Sequence, residues 1–269
     1  AAPREAPLAR ERLFRLELPG GPDDTWDSVA RGQGVTPVTL ALTAIALAWR
    51  LHTRVDDVAF FCTYANRKSA PAALGYLVNT LPLRLRCTPS ATLAELAQQV
   101  RVGMKLAQRF ADVPGAFVLQ ECLPPGLEPP FPFLNLIVNS PLFDPHEFPP
   151  FSLGPVAMTV NPRSPVIPPG GDVAVNVTFS GRTAAFHCIA HPFDASAGGD
   201  EAAFELLCRH LGTALTAIAA DPARPLARVD WFAPGEADLV TRRFPPGAAL
   251  AGDAATSDES LALGAGPDH

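Results

Sequence analysis

The chain has 269 residues, of which 48% are hydrophobic and 18% charged, so it is a globular protein and neither a disordered nor a fibrous one. Its net charge of −6, with lysine only at Lys68 and Lys105, argues against nucleic-acid binding, because no basic stripe stands out. Five cysteines, an odd number without C-x-x-C spacing, indicate buried thiols in a reducing compartment and argue against a disulfide framework or a zinc site.

No signal-peptide core opens the chain, and the longest apolar run, residues 37–51, is that of a buried core helix. As a helix it is only ~22 Å long, which is short of the ~30 Å hydrocarbon layer of a membrane. We therefore expect a cytoplasmic protein that neither spans nor binds a membrane.

The first quarter of the chain predicts strand, helix, helix, strand. Alternating residues 13–18 predict a strand that ends at a Pro-Gly turn, and residues 23–33 predict a short helix capped by Asp23, Asp24 or Thr25. Thr36 is an N-cap for the apolar helix that follows, which is apolar on almost every face and so predicts a surrounded helix. Residues 58–64 then predict a buried strand, with Asn66 and Arg67 at its end.

Residues 74–84 read as another buried strand that carries an unusual polar pair, Asn79 and Thr80, in its middle. Each of these groups costs roughly 1–3 kcal/mol if it is buried without a partner. Either they bond locally at the end of a strand, or they face something polar that enters the fold. The two interpretations carry about equal weight.

The remainder of the chain predicts three further helical segments and several strands. Thr92 and Glu95 have capping-box spacing for a helix to about residue 110 that buries Leu93, Leu96, Val100, Met104 and Leu106 or Ala107. A short helical turn is expected at Val118. Strands are expected at 133–139, near 156–160, at 172–179 and at 183–189, the last two joined at Ser180-Gly181; a helix capped by Asp200 should end at Asp221-Pro222.

The stretch Leu-Gly-Tyr-Leu-Val-Asn-Thr-Leu-Pro-Leu-Arg at 74–84 resembles the I/V-G-x-F-V-N-T-x-x-x-R signature of nonribosomal peptide synthetase condensation domains. Residues 34–37 are similar to the family's G-V-T helix start, and residues 56–67 to its D-D-V…R strand. At the position of the H-Q-D-V-P-F-E motif only Asp112, Val113 and Pro114 match. The likeness covers about residues 8 to 240.

Two family motifs are missing from the sequence. No two of its six histidines are adjacent, so the catalytic H-H-x-x-x-D-G motif of the first half-domain is absent, and so is the R-D-x-S-R-N-P-L signature expected near residues 122–135. The resemblance is therefore to the C-terminal lobe alone. It implies a lead segment and first strand at 1–22 joining from an N-terminal lobe, the lobe itself at 23–240, and a flexible linker or tail at 241–269.

The fold implied is α/β (α+β): a chloramphenicol acetyltransferase-like lobe with a mixed β-sheet flanked by helices. Such domains join two carrier-bound thioesters into an amide inside a tunnel between two lobes, where proximity supplies much of the rate. The implied partners are an N-terminal condensation lobe, donor and acceptor carrier domains, and an adenylation domain reached through the C-terminal linker. No cofactor is expected to bind directly; the 4′-phosphopantetheine arms of the carriers are substrates.

The resemblance places no catalytic residue in this chain and no metal site. The residues that would line the tunnel or meet the carrier arm are Asn66, Arg67, Gly75, Asn79, Thr80, Arg84, Asp112 and Pro114. For Arg67 and Arg84 the alternative to a phosphopantetheine phosphate is a structural ion pair, for example with Asp112. Gly75 is expected to permit close backbone packing.

Two other residue patterns invite catalytic or metal readings that the residues do not favour. His187 and His191 would lie ~13 Å apart on a strand, too far to share a zinc ion. Cys62 lacks a histidine placed to activate it and is expected to be a buried thiol.

Three functions follow as hypotheses. The first is half of a peptide-bond-forming acyltransferase, inactive alone and completed by an N-terminal lobe with the histidine motif. The second is a non-catalytic docking or scaffold lobe that recruits carrier proteins or tailoring enzymes. The third is a coenzyme A-dependent acyltransferase of the same fold.

Overall fold

A computed structural model of the chain describes residues 10–67, 75, 77–122, 136–139, 151–158, 173–190 and 201–232. Contacts divide the chain into a compact unit, Ala1–Trp231, and a second unit, Phe232–His269, of which only Phe232 is described. The predicted tail at 241–269, His191, the start of the strand predicted at 133–139, most of the excursion at 140–170 and the Asp200 cap lie outside the described residues.

The described helices and strands follow the predicted order closely. They are β1 (Arg10–Glu17), α1 (Trp26–Gly32), α2 (Pro37–Thr53), β2 (Asp57–Tyr64), β3 (Asn79–Arg86), α3 (Leu93–Arg109), α4 (Gly115–Cys122), β4 (Leu136–Asn139), β5 (Phe151–Leu153), β6 (Val156–Met158), β7 (Val173–Ser180), β8 (Thr183–Ala190) and α5 (Glu201–Ala220). A short 3-10 helix, Leu226–Arg228, follows α5.

Six of these strands form one sheet in the order β1-β8-β7-β4-β2-β3. Strand β4 runs parallel to both of its neighbours, β2 and β7, whereas the β1–β8, β7–β8 and β2–β3 pairs are antiparallel. A parallel pair needs a long crossover, which is why β2 and β4 are separated in sequence by β3, α3 and α4. The predicted mixed α/β class is confirmed.

Helix α2 lies at the centre of the core, as its all-round apolar sequence predicts. Every residue from Thr39 to Ala48 is buried, and the helix packs against α3 on one side and α5 on the other. The three helices pack against the sheet, α3 on β3, α2 on β2 and β7, and α5 on β1.

The apolar sequence of α2 fits its buried position in the core. Among the described residues no single helix meets the length and hydropathy required to span a bilayer. Helices α1 and α2 meet the requirement only together, and they are bent by 83° at the break between them.

The predicted helix starts at Thr25, Thr36 and Thr92 are confirmed by the capping bonds of their side chains. Thr92 accepts from the Glu95 N–H at 3.2 Å, while the Glu95 carboxylate accepts from the Thr92 N–H at 2.7 Å. This is the capping box expected from the spacing.

Several details differ from the sequence-based expectation. Strand β3 begins at Asn79, so the polar pair lies at the start of the strand and not in its middle. Leu106 is 54% exposed, whereas Met104 and Ala107, which continue the stripe of Leu93, Leu96 and Val100, are partly buried, as the alternative at Ala107 predicts. The β7–β8 turn is Gly181-Arg182, since Ser180 pairs with Thr183.

Candidate functional site

An open apolar groove of about 570 Å³ lies between β3 and the segment that runs from α3 into α4. Its volume falls within the range of sites that hold small organic groups. The β3 side contributes residues from Thr80 to Arg84, and the helical side contributes Gly103, Leu106, Ala107, Phe110 and Val118. The groove can hold an apolar group beside the edge strand of the sheet.

Two glycines allow the walls of this groove to approach each other. A Cβ at Gly103 would lie 2.7 Å from Leu83 Cδ1, so glycine lets α3 pack directly on β3. A Cβ at Gly115 would lie 2.5 Å from the Thr80 carbonyl oxygen, which is too close for any side chain. The start of α4 therefore rests on the backbone of β3.

Asn79 joins β3 to the loop between α3 and α4. Its amide nitrogen donates to the carbonyls of Ala111 and Val113, each at 2.7 Å. Its amide oxygen accepts from the N–H groups of Thr80 at 2.8 Å and Gly115 at 3.0 Å. All four bonds go to backbone of this chain: one to the adjacent Thr80, and three to the segment that runs from α3 into α4.

A second asparagine reaches the same loop from the end of β2. Asn66, with a φ of 35°, donates to the Asp112 carboxylate at 2.8 Å and to the Ala111 carbonyl at 3.2 Å. Asparagine tolerates this left-handed conformation better than most residues. Asn66, Asn79, Thr80, Asp112 and Pro114 are thereby brought together at one end of the groove.

Pro114 marks the turn from this loop into α4. Its carbonyl accepts from the N–H groups of Phe117 at 3.0 Å and Val118 at 3.2 Å. Asp112 to Pro114, the part that matches the family motif, is therefore the segment that the two asparagines hold in place.

Arg84 lies at the mouth of the groove and is paired within the chain. Its guanidinium makes a bidentate contact with Asp57 across the β2–β3 pair, with N–O distances of 2.9 and 2.6 Å. Hydrogen bonding to Arg84 lowers the pKa of Asp57, and the same bond raises the pKa of Arg84. Arg84 therefore pairs with Asp57 and not with Asp112. The Asp112 carboxylate instead accepts a hydrogen bond from Asn66.

Arg67 and Gly75 lie where β2 leaves the sheet. Arg67 donates to the Gly75 carbonyl at 3.3 Å and makes a further interaction. No atom of the described residues lies within 4 Å of the Cβ position of Gly75, whose φ of +140° is the feature that favours glycine there. Conformation, more than close packing, accounts for this glycine within the described part of the chain.

The outer edge of β3 is closed to strand addition. The backbone N–H and C=O of Arg86 bond to the Gln99 side chain, at 2.6 and 3.2 Å, so they point away from β2. Because alternate residues of an antiparallel strand share this direction, the backbone groups of residues 80, 82 and 84 also face the open edge. The Thr80 N–H is taken by Asn79, and Pro82 has no N–H. An edge with one unengaged N–H, that of Arg84, does not offer the ladder that a partner strand needs.

Thiol and metal chemistry find no support near the groove. Burial raises the pKa of Cys62 to about 12, so the reactive thiolate is not formed at neutral pH. The described residues contain no group of three or more side chains that could hold a metal ion. His187 lies 3.3 Å from the Glu11 carboxylate on the neighbouring strand.

Sequence reasoning identified the polar end of this site and missed its apolar part. The helix predicted to about residue 110 includes Gly103, Leu106 and Phe110, but that prediction does not place the three residues on a shared surface. The apolar residues Val102, Leu106 and Phe110 are four positions apart, a spacing that places them on one side of α3 and could have indicated this surface.

Solved structures with the same fold come from nonribosomal peptide synthesis. The X-domain in complex with OxyB from teicoplanin biosynthesis has a TM-score of 0.66 and 19% identity, over 83% of this chain and 49% of that one. The first condensation domain of the CDA synthetase has a TM-score of 0.57 and 20% identity, over 84% and 49%. A four-domain nonribosomal peptide synthetase bound to AMP and glycine has a TM-score of 0.66 and 15% identity, over 84% and 18%.

Two sequence relatives are synthetases that are far longer than this chain. The hybrid PKS-NRPS synthetase LUC5 of Fusarium sp. is 29% identical over 114 residues, which is 42% of this chain and 3% of the relative. The fusarin C synthetase of Gibberella moniliformis is 28% identical over the same length. No protein-family model matches the chain.

These matches agree with the resemblance carried by residues 74–84 and 112–114. The chain spans about half the length of the condensation domain and X-domain structures that it matches. It therefore has the chloramphenicol acetyltransferase-like fold of nonribosomal peptide synthetase condensation domains, in an extent equal to about half of such a domain.

Proposed function

We propose that this chain is the C-terminal half of a nonribosomal peptide synthetase condensation domain. It supplies one wall of the tunnel in which two carrier-bound aminoacyl or peptidyl thioesters form an amide bond, and it helps to dock the carriers. The acid–base histidine belongs to the N-terminal lobe.

The observation that carries the proposal is the match over half a domain. Superposition covers 82–84% of this chain but about half of each condensation or X-domain. The residues that match family motifs, at 79–80 and 112–114, lie together at the end of the groove. The sequence contains no adjacent histidine pair.

The groove fits a tunnel wall better than a self-sufficient active site. It is open and mainly apolar; Asn79 at its end bonds to backbone, Asn66 bonds to Asp112, and Arg84 pairs with Asp57. Such a wall orients a substrate and excludes water but moves no proton. The 4′-phosphopantetheine arms of the carrier domains would enter as substrates, with no cofactor bound to the chain itself.

Reconstitution tests this function. Donor and acceptor carrier domains loaded with aminoacyl thioesters are mixed with the chain, with and without an N-terminal condensation lobe that has the H-H-x-x-x-D-G motif. Amide product is expected only in the mixture with both lobes and is measured by mass spectrometry of the acceptor arm. Product formed by the isolated chain would refute the proposal.

A second candidate is a non-catalytic lobe that recruits partner enzymes. It is favoured by the X-domain neighbours, of which one was solved with OxyB and has a TM-score of 0.66. The loss of all but three residues of the motif near 109–116 points the same way. Continued inactivity with a competent N-terminal lobe, together with capture of carrier or tailoring domains by the chain, would identify this function.

A further inference from the structure

The outward face of α3 carries two parallel rows of side chains with four-residue spacing. Val102, Leu106 and Phe110 form an apolar row and are 58%, 54% and 60% exposed. Arg101, Lys105 and Arg109 form a cationic row beside it. Since residues four apart lie one above another on a helix, each row is a continuous strip about 12 Å long.

The cationic row is not neutralised within the described part of the chain. Among the described arginines, Arg12, Arg50, Arg84 and Arg224 have carboxylate partners at 2.6–3.4 Å, whereas Arg31, Arg54 and Arg228 have none but lie apart from one another in the sequence. Lys105 and Arg109 have none among the described residues, and Arg101 bonds to the amide of Gln98. The one carboxylate of α3, Glu95, is engaged in the capping box.

Charge alone at this end of the helix has an ordinary explanation. A cation in the last turn, such as Arg109, interacts favourably with the helix dipole. That explanation does not reach Arg101, two turns earlier, and it does not account for three exposed apolar side chains in the adjacent row. In a chain with a net charge of −6, an uncompensated cationic strip beside an apolar strip is a complementary surface for a particular partner.

We propose that this face of α3 docks an acidic amphipathic helix of a partner protein. Carboxylates of the partner pair with Lys105 and Arg109, and its apolar side chains cover Val102, Leu106 and Phe110. The occupant is a helix and not a strand, because Pro82, Asn79 and Gln99 close the neighbouring edge of β3. The proposal goes beyond the catalytic function and holds whether or not the chain takes part in amide formation.

A protein helix also fits better than a membrane or a nucleic acid. The exposed apolar row holds only three side chains, and the strength of interfacial membrane binding scales with the apolar area that enters the lipid. Three cations in a row offer few phosphate contacts, and phosphate contacts supply most of the affinity of a protein for nucleic acid.

Two labelled helical peptides test the proposal with the full chain by fluorescence anisotropy. Both carry leucines on one face; the first has glutamates in the adjacent row and the second has lysines in the same places. The acidic peptide is expected to bind at least about tenfold more tightly, and its advantage should shrink as salt rises past about 0.15 M. Equal affinities would overturn the proposal.

Variants locate the site. Charge reversal at Lys105→Glu and Arg109→Glu should reverse the preference between the two peptides. The matched control, Arg31→Glu with Arg228→Glu, changes the net charge equally at exposed positions elsewhere and should preserve the preference. Val102→Ser, outside the groove, should weaken the acidic peptide severalfold.

Three results would contradict this surface. The first is a preference that survives reversal at Lys105 and Arg109 or is lost equally in the control. The second is binding of the chain to anionic phospholipid vesicles that is lost on the same reversal. The third is self-association in sedimentation that is abolished by Val102→Ser, since the face would then hold a second copy.

Discussion

At the scale of single residues, Asn79, the asparagine of the motif at 74–84, connects β3 to the segment between α3 and α4. Asn79 makes four bonds to backbone, and three of them, to Ala111, Val113 and Gly115, cross from β3 to the α3–α4 loop. The loop borders the groove, so the same residue sets the shape of the site. Under the proposed function, Asn79 would therefore act by holding this loop in place and not by contacting the reacting groups.

Asn79→Ala should lower the free energy of unfolding by about 2–3 kcal/mol, because the mutation leaves the loop carbonyls and the Gly115 N–H without a partner. Asn79→Asp should not restore stability, since a carboxylate would face two carbonyl oxygens. Urea unfolding followed by circular dichroism measures both. Ser90→Ala, an exposed turn position, is the control; a loss below about 0.5 kcal/mol for Asn79→Ala would contradict this role.

The buried thiols contribute to the pH dependence of stability at alkaline pH. Burial raises the pKa of Cys62 from 9.0 to about 12 in the folded chain. The unfolded chain therefore releases this proton first, so the contribution is complete below pH 9 and is lost as pH rises toward 12. Replacing the thiol with a group that does not titrate should remove that part of the slope.

The measurement is the unfolding free energy of the wild type and Cys62→Ala from pH 8 to pH 11. The alanine variant should be less stable at pH 8, because it leaves a cavity in the core, and its stability should fall less steeply above pH 9. Parallel curves for the two proteins would show that Cys62 ionises as easily in the folded chain as in the unfolded one.

At the scale of helices and strands, α2 and α5 are linked by a pair of histidines. His52 Nε2 and His210 Nδ1 are 3.0 Å apart, so one ring donates and the other accepts. The indole of Trp231 packs edge-on against His210, with ring centroids 5.2 Å apart. A doubly protonated pair has no acceptor and places two positive charges in contact, so the α2–α5 contact depends on pH.

Acid should weaken this contact. Burial lowers the pKa of His52 below 6.5, so the unfolded chain takes up the proton first as pH falls. The contribution to stability is present above pH 6.5 and is lost below it. His52→Gln, which keeps a hydrogen-bonding group without a titrating one, should flatten the decline in unfolding free energy between about pH 7.5 and pH 5.5.

A double variant separates the pair from other acid-sensitive groups. If the two rings act together, His52→Gln with His210→Gln should show no further flattening beyond the single change. An undiminished decline in His52→Gln would assign the acid sensitivity to groups elsewhere in the chain.

At the scale of the whole molecule, the open groove and the exposed face of α3 lie on neighbouring surfaces. Leu106 and Phe110 belong to both, since they line the groove and lie in the apolar row. Exposed apolar patches of this kind mark surfaces that other groups cover. Under the proposed function, a substrate channel runs along this groove and α3 borders it.

The groove should bind an apolar dye in the folded state, and a larger side chain should abolish that binding. Ala107 lines the groove and is partly buried, so Ala107→Trp should fill it and reduce dye fluorescence severalfold. Val102→Trp, on the same helix outside the groove, is the matched control and should leave dye binding unchanged. Equal dye binding by Ala107→Trp and the wild type would show that the groove is not the dye site.

The sequence by itself determined the class of fold, the order of its elements, the surrounded helix α2 and the capped helix starts. These depend on periodicity and on residues three or four positions apart, where spacing alone brings the groups together. The likeness of residues 74–84 to a family signature was also visible at this level, and the fold confirms it.

Only the tertiary structure decided what the motif residues do. Asn79 meets a loop more than thirty positions away, and Arg84 pairs with Asp57 across two strands, not with Asp112. Periodicity shows which side chains share a face but not which distant segment lies opposite them. The groove likewise exists because glycines at 103 and 115 let α3 and α4 close onto β3, a contact between segments that no local pattern encodes.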